Sequence, residues 1–272
     1  MFSKGIGSFG ILLVLAALPA LAQVPGEPVS APATAVLTPR QHAPMRLHGL
    51  VPGSVQSENW SGFAVTGSKF TNAAGSWHVP GVDCAKTPNT YSAFWVGIDG
   101  YSDGTVEQTG TASDCVGGTP SYYAWYEFYP AGPVVIASVP VGNGNIISAS
   151  VSYSGSKFTV TLTNETTGKS FSKTSTVSGA QRTSAEWIAE APCCTTGGGI
   201  LPLADFVKAN FGYDKTGVAS TNYATDSSTT GPISSFSSRK KITMVSSKSV
   251  TEAVPSNLTA DGTSFFVTWK AE

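Results

Sequence analysis

From Asn59 to Lys270 the chain is written as short strand-like runs punctuated by Gly, Pro, Asn and Ser. No long amphipathic helical period interrupts them and no segment repeats, so the pattern predicts an all-β domain, a sandwich or a barrel. The stretch that organises the rest is Tyr91–Gly110, YSAFWVGIDGYSDGTVEQTG. Phe94-Trp95-Val96-Gly97-Ile98 reads as a strand covered on at least one face. Asp99-Gly100 and Ser102-Asp103-Gly104 break it with turn chemistry. Val106-Glu107-Gln108-Thr109-Gly110 follows as a second strand and carries a polar amide into the sheet.

Further along, Tyr122–Tyr129 is aromatic almost throughout. At period two, Tyr123, Trp125, Glu127 and Tyr129 share one face, and a strand aromatic on both faces is expected to be central and covered. Ser154-Gly155 marks a hairpin between Ile146–Tyr153 and Lys157–Thr163. Ser184–Ala189 places Glu186 and Ile188 on one face and Ala185, Trp187 and Ala189 on the other. Leu203–Val207 reads equally as a strand or a single helical turn. Lys241–Ser246 and Ser264–Lys270 are expected as closing strands.

The first residues have another character. Lys4, the apolar run Phe9–Leu18 and Pro19-Ala20-Leu21-Ala22 follow the order of a secretory signal peptide, placed at residues 1–22. The run is too short to span a bilayer comfortably, and no later stretch approaches about 20 apolar residues. Residues 23–54 hold six prolines, few large apolar side chains and the basic group Arg40, His42, Arg46 and His48. A segment so composed cannot bury a core of its own. Its place between a signal peptide and a domain predicts a pro-segment removed on activation, with a flexible linker as the other reading. Residues 55–272 are then the β domain, and the protein is expected outside the cell.

Setting aside Lys4, Arg40, Arg46 and Glu27 leaves that domain at formal charge −3, with no basic stripe for nucleic acid. Only 12% of the chain is charged. Few carboxylates mean little change of charge in acid, because acid unfolding largely follows the protonation of paired carboxylates. Cys84, Cys115, Cys193 and Cys194 fall in the part expected to be exported, where disulfides persist. Four cysteines allow three pairings. Pairing Cys84 with Cys115 closes the loops around the central stretch and leaves the neighbours Cys193 and Cys194 to each other. The spacing lacks the paired C-x-x-C units of a zinc site.

Elimination narrows the chemistry. His78 is the only histidine after residue 54; no nucleophile is marked near it, and beside Trp77 it reads as structural. H-E-x-x-H is absent, as are paired Asp-Thr-Gly or Asp-Ser-Gly motifs and glycine-rich phosphate loops. Carboxylates and amides must carry any reaction. Glu127 and Glu186 stand in strand-like context, with Asp99 at a turn. A lone strand glutamate or glutamine more often faces solvent, so pattern alone leaves Glu127, Glu186 and Gln108 undecided. Burial would raise the pKa of either glutamate and suit acid–base work. A Trp- and Tyr-rich sandwich is also the form of secreted carbohydrate-binding or glycan-hydrolysing domains, in which Glu127 and Glu186 would be the hydrolytic pair. Gln108 has no required role there.

Five motifs occur in order: Asn59-Trp60-Ser61-Gly62, Trp95-Val96-Gly97-Ile98-Asp99-Gly100, Gln108-Thr109-Gly110, Trp125-Tyr126-Glu127 and Ala185-Glu186-Trp187-Ile188. Together they resemble the glutamic peptidases, the eqolisins, over nearly the whole region from Asn59 to Phe206. The resemblance implies a concanavalin-like β-sandwich of two antiparallel sheets. It implies a secreted, acid-acting, pepstatin-insensitive endopeptidase made as a pre-pro-protein. Its partners would be protein or peptide substrates, acted on by a monomer without cofactor or metal, and with no nucleic acid or membrane. By motif, the catalytic dyad falls on Gln108 and Glu186, and substrate-cleft residues fall on Trp60, Trp95, Asp99, Trp125 and Glu127. The chain departs from the fungal pattern at Tyr123, where an aspartate often precedes Ala-Trp-Tyr-Glu. It departs also in its cysteines, and a longer loop is expected over Thr111–Ser121.

Overall fold

The computed structural model describes residues 1–2, 37–52, 54–194 and 198–272. The expected signal peptide, and the expected pro-segment up to residue 36, lie almost wholly outside them. The chain divides into two units, Met1–Val36 and Leu37–Glu272, and every strand described belongs to the second. These are β1 Leu47–Val51, β2 Ser54–Ser57, β3 Trp60–Thr66, β4 Asn72–His78, β5 Ala93–Ile98, β6 Val106–Val116, β7 Thr119–Tyr129, β8 Val134–Val135 and β9 Ile146–Ser154. They continue with β10 Lys157–Asn164, β11 Lys169–Ser175, β12 Ser184–Glu190, β13 Lys208–Phe211, β14 Tyr223–Thr225, β15 Thr230–Pro232, β16 Lys240–Val245, β17 Thr251–Pro255 and β18 Phe265–Trp269. A single helical turn, α1, covers Tyr213–Thr216.

Hydrogen bonding runs β8-β7-β6-β5-β12-β3-β16 in one layer and β18-β13-β4-β9-β10-β11 in the other. β16, β17 and β18 pair in turn and join the layers at one edge. The two expected sheets are therefore one continuous sheet folded over, antiparallel except where β16 meets β2. Period-two alternation fills the space between the layers. Phe63 of β3, Phe94 and Val96 of β5 and Trp187 of β12 share one buried cluster with Trp77 of β4, Val151 of β9, Leu162 of β10 and Phe211 of β13. Each such side chain, fully buried, stabilises the fold by about 1.5–3 kcal/mol. Two indoles of this cluster keep their N–H groups bonded, Trp187 to Ala74 O and Trp77 to the Thr111 hydroxyl, at 2.8 and 2.9 Å. The opposite face of the first layer carries a second apolar cluster, with Trp60, Trp95, Trp125 and Ile188.

Three local features differ from the sequence expectation. Thr111–Ser121 is strand and turn rather than a longer loop: β6 and β7 stay paired out to Val116 opposite Thr119. Gly117 and Gly118, at φ 57° and 78°, make the two-residue turn, where positive φ at both positions favours glycine. Leu203–Val207 is neither strand nor helix; Leu203 forms one bridge with Tyr91, and the Asp205 carboxylate accepts the Val207 N–H. Leu47–Val51 and Ser54–Ser57 form β1 and β2 by borrowing an existing edge, since β1 pairs with β2 and β2 with β16.

Both disulfides join the cysteines that sequence spacing favours, Cys84 to Cys115 and Cys193 to Cys194. The first closes a separation of 31 residues and ties the end of β6 to the loop before β5. A loop of that length is worth about 3–4 kcal/mol in the chain-entropy model. The variant Cys84→Ala/Cys115→Ala is expected to lose about 2–4 kcal/mol in denaturant unfolding. An unchanged midpoint and slope would mean that β6–β7 pairing alone holds this end.

Candidate active site

β12, β5, β6 and β7 are neighbours, and their registers align side chains across the sheet. Glu186 pairs with Gly97, Gly97 with Gln108, and Gln108 with Glu127. Directly opposed residues point to the same face, so the four stand in one row. The next rows are Ile188, Trp95, Gly110, Trp125 and then Glu190, Ala93, Ala112, Tyr123. Gly97 leaves Glu186 and Gln108 with no side chain between them. A β-carbon there would meet the Trp95 ring at 2.9 Å and the Gln108 Cβ at 3.3 Å. Gln108 Nε2 donates to Glu127 Oε2 at 3.0 Å. Gln108 Oε1 and both oxygens of Glu186 have no hydrogen-bond partner among the described residues.

Residues 40–46 lie across these rows as a strap. The Arg40 N–H donates to the Tyr123 hydroxyl at 3.3 Å, and the His42 N–H to Glu127 Oε2 at 3.2 Å. Ala43 O accepts from Trp60 Nε1 and Asn59 Nδ2, and the Met45 N–H donates to Gly100 O. Gln41 bridges to Cys193, just beyond β12. The His42 ring lies on Trp125, centroids 3.6 Å apart and planes 11° from parallel. Its Nδ1 is 2.9 Å from Glu190 Oε2, which also accepts Trp95 Nε1 at 2.8 Å. This face of the sheet thus holds the main chain of residues 40–46 by its polar groups.

Residues 58–255 match the family described as the peptidase A4 family. The chain belongs to the peptidase A4 family. This A4 member is 31% identical over 180 residues to aspergillopepsin-2 of Aspergillus niger, covering 57% of this chain and 62% of that protein. It is 35% identical over 177 residues to scytalidopepsin B of Scytalidium lignicola, covering 61% and 65%. The chain thus matches just under two thirds of the length of each relative. Its fold is similar to the crystal structure of scytalido-glutamic peptidase with a transition state analog inhibitor, at TM-score 0.65 and 26% identity over 78% of this chain and 98% of that one. The strap precedes the part that matches the family.

In this A4-family chain, Trp60, Trp95, Gln108, Trp125, Glu127 and Glu186 are all buried on the cleft face. Asp99 is placed differently. It follows β5 at φ 71°, and its carboxylate accepts the N–H groups of Gln181, Arg182 and Thr183 at 2.9, 2.7 and 2.7 Å. It thereby fixes the turn that delivers β12, and Glu186 with it. Sequence reasoning leaves out Glu190, His42 and the bond from the Tyr123 hydroxyl to Asp114 at 3.1 Å. Alternation carried one residue past Ala189 would have found Glu190. No local pattern marks His42, whose position depends on how residues 40–46 fold back over the sheet.

The cleft collects carboxyl groups that favour their neutral form. Burial holds Glu186 well above the ordinary carboxylate range, with Asp99, Asp103 and Glu107 adding to it. Ser184 pulls the other way, although its hydroxyl does not reach hydrogen-bonding geometry. Burial and then Glu190 raise Glu127, against the His42 N–H and the Gln108 amide. Burial also takes Asp99 to about 6 and Asp114 to about 7. On the core side of β6, opposite Ile98 and Phe128, burial pushes Glu107 to about 9.

Groups raised in this way bind more protons folded than unfolded. Their stabilisation is complete below the unfolded value and is lost as pH rises through the folded one. Asp261 runs oppositely, because the Ser264, Thr259 and Thr263 donors hold it below its ordinary value and its contribution fades in strong acid. The Tm is therefore expected to peak near pH ~4 and to fall by several degrees towards pH ~8, at about 2–4 °C per kcal/mol. Glu107→Gln should raise the Tm at about pH 8 and leave it unchanged at about pH 4. A Tm that climbs from acid to neutral would contradict this arrangement of charges.

Proposed function

We propose that this chain is an exported, acid-acting endopeptidase made as an inactive precursor, with Glu186 activating water and Gln108 stabilising the oxyanion. The observation that carries the reading is the peptide already in the cleft. Main-chain groups of residues 40–46 are bonded by Tyr123, Glu127, Trp60 and Asn59, over the rows that contain Glu186 and Gln108. Membership of the A4 family supports the reaction class.

Hydrolysis of a peptide bond needs an activated water, a stabilised oxyanion and a protonated leaving nitrogen. Glu127 takes one N–H of the Gln108 amide and fixes its plane. The second N–H is left for the carbonyl oxygen of a substrate. Ionised Glu186 removes a proton from water as the water oxygen bonds to the carbonyl carbon, and negative charge moves onto the oxygen facing Gln108. When the C–N bond breaks, protonated Glu186 gives its proton to the departing nitrogen and is ionised again. An amide donor does not titrate. A carboxylate with an ordinary pKa of about 4.3 stays partly ionised in acid, where a histidine base would be fully protonated.

With the strap in place Glu186 is in the opposite condition, since a buried and neutral carboxyl cannot act as a base. Displacing residues 40–46 frees the row for water and substrate, so that opening and activation are one event. The indoles of Trp60, Trp95 and Trp125 then become walls for substrate side chains. Charge at the Arg40 end favours release in acid. The guanidinium lies 4.4 Å over the Tyr91 ring, and its charge acts on Asp114. Below pH about 7 Asp114 takes up a proton, and Arg40 loses its counter-charge. In this reading residues 1–22 direct export and the rest of the leader is removed on activation.

Casein digestion across about pH 2–7, with pepstatin present, is expected to show acid activity. Gln108→Ala should lower the rate by about 10²–10³ and Glu186→Gln by at least as much, both variants remaining folded by circular dichroism. Near-native turnover in either would defeat the dyad. Removal of the leader should run faster at about pH 4 than at about pH 7; equal rates would remove Asp114 and Arg40 from the control of release.

A further inference from the structure

The strap shows what one part of the cleft is built to hold. His42 is buried, its ring flat on Trp125, with Nδ1 2.9 Å from Glu190 Oε2. Glu190 is itself fully buried, and the same Oε2 accepts the Trp95 indole N–H; we assign His42 the Nδ1–H tautomer, in which Nδ1 donates to that oxygen. The other oxygen, Oε1, accepts the Ala43 N–H at 3.3 Å. The His42 N–H meets the Glu127 Oε2 that also holds the Gln108 amide. The residue in this slot is therefore a neighbour of the bond presented to Gln108 and Glu186.

We infer that Trp125, Trp95 and Glu190 form a substrate subsite selective for an imidazole side chain, and that His42 occupies it as a substrate histidine would. The inference rests on the peptidase reading for its substrate and on the strap geometry for its chemistry. A flat ring is needed to lie on Trp125, and an N–H is needed at its near edge for Glu190. Leucine offers neither, and phenylalanine offers only the ring, leaving a buried carboxylate short of a donor. Arginine is flat and donates, but its first nitrogen stands one carbon farther from the backbone than Nδ1 of histidine. Lysine places its charge farther still and has no plane to stack. Hydrogen bonds to charged groups contribute about 1.5–3 kcal/mol, so the preference should be tenfold or more.

Two measurements on the full chain test this. In the first, hydrogen exchange at neutral pH follows the backbone amides of residues 40–46. His42→Phe keeps the stack and loses the donor; Glu190→Gln keeps an acceptor for Trp95 and loses the charge. Each is expected to speed exchange of the strap about tenfold or more, while His48→Phe, in the same segment but beside Glu58 and Ser249, leaves it unchanged. In the second, acid-processed protein is given one fluorogenic peptide with His, Phe, Leu or Arg placed in turn on either side of the cleaved bond. The histidine peptide should lead in kcat/KM by about tenfold, and its lead should collapse towards unity in Glu190→Gln.

Exchange untouched by both cleft variants would overturn the inference. So would cleavage of the series without a histidine preference, or a preference that survives Glu190→Gln. Faster exchange together with no cleavage of any peptide would instead sink the peptidase reading and the substrate preference with it, leaving the ring-binding slot standing.

Discussion

Period-two alternation along four adjacent strands sets Glu186, Gly97, Gln108 and Glu127 side by side. A slip of one residue in any of the three pairings would send one polar group into the core and bring an apolar one to the cleft. The core protects that register. Phe94, Val96, Trp187 and Ala189 occupy the reverse faces of β5 and β12 and pack against the second layer. The chemistry of one face is thus specified by the packing of the other. Asp99 contributes from the strand end, holding three amide groups of the turn before β12.

The same burial that fixes the row also dries it. Carboxyl groups buried in this row favour their neutral forms, and a fold that stores neutral carboxyls is most at ease in acid. The sparse charge of the whole chain agrees with this. Glu107 makes the point outside the cleft, as a buried glutamate among apolar neighbours that acid leaves undisturbed.

Much of this was legible in the sequence because alternation and turn chemistry are local. β3, β9, β10 and β12 start where the runs predict and β5 one residue earlier, and the faces assigned to Glu186 and to Glu127 are those the sheet uses. What escaped depends on distant partners. β1 and β2 have no core of their own and exist because β16 offers an edge. β13, β14 and β15 are three or four residues long, too short for periodicity to register. The β6–β7 hairpin looked like a loop because Gly117-Gly118 and the polar residues before it resemble one, although both strands simply continue. Glu190 lies one step beyond the Ser184–Ala189 run. His42 could not be found at all, since its role is defined by Trp125 and Glu190, far along the chain.

The strap also has a consequence that depends on its being attached. A tethered segment meets its own cleft at an effective concentration in the millimolar range, without the translational cost that a separate peptide would incur. Contacts of modest strength, a few main-chain hydrogen bonds and one stacked ring, then suffice to keep the cleft occupied nearly all the time. Once the backbone is cut, the same segment is diluted into the surroundings and the same contacts no longer hold it. On the proposed precursor reading, activation is a change in connectivity, and it runs one way.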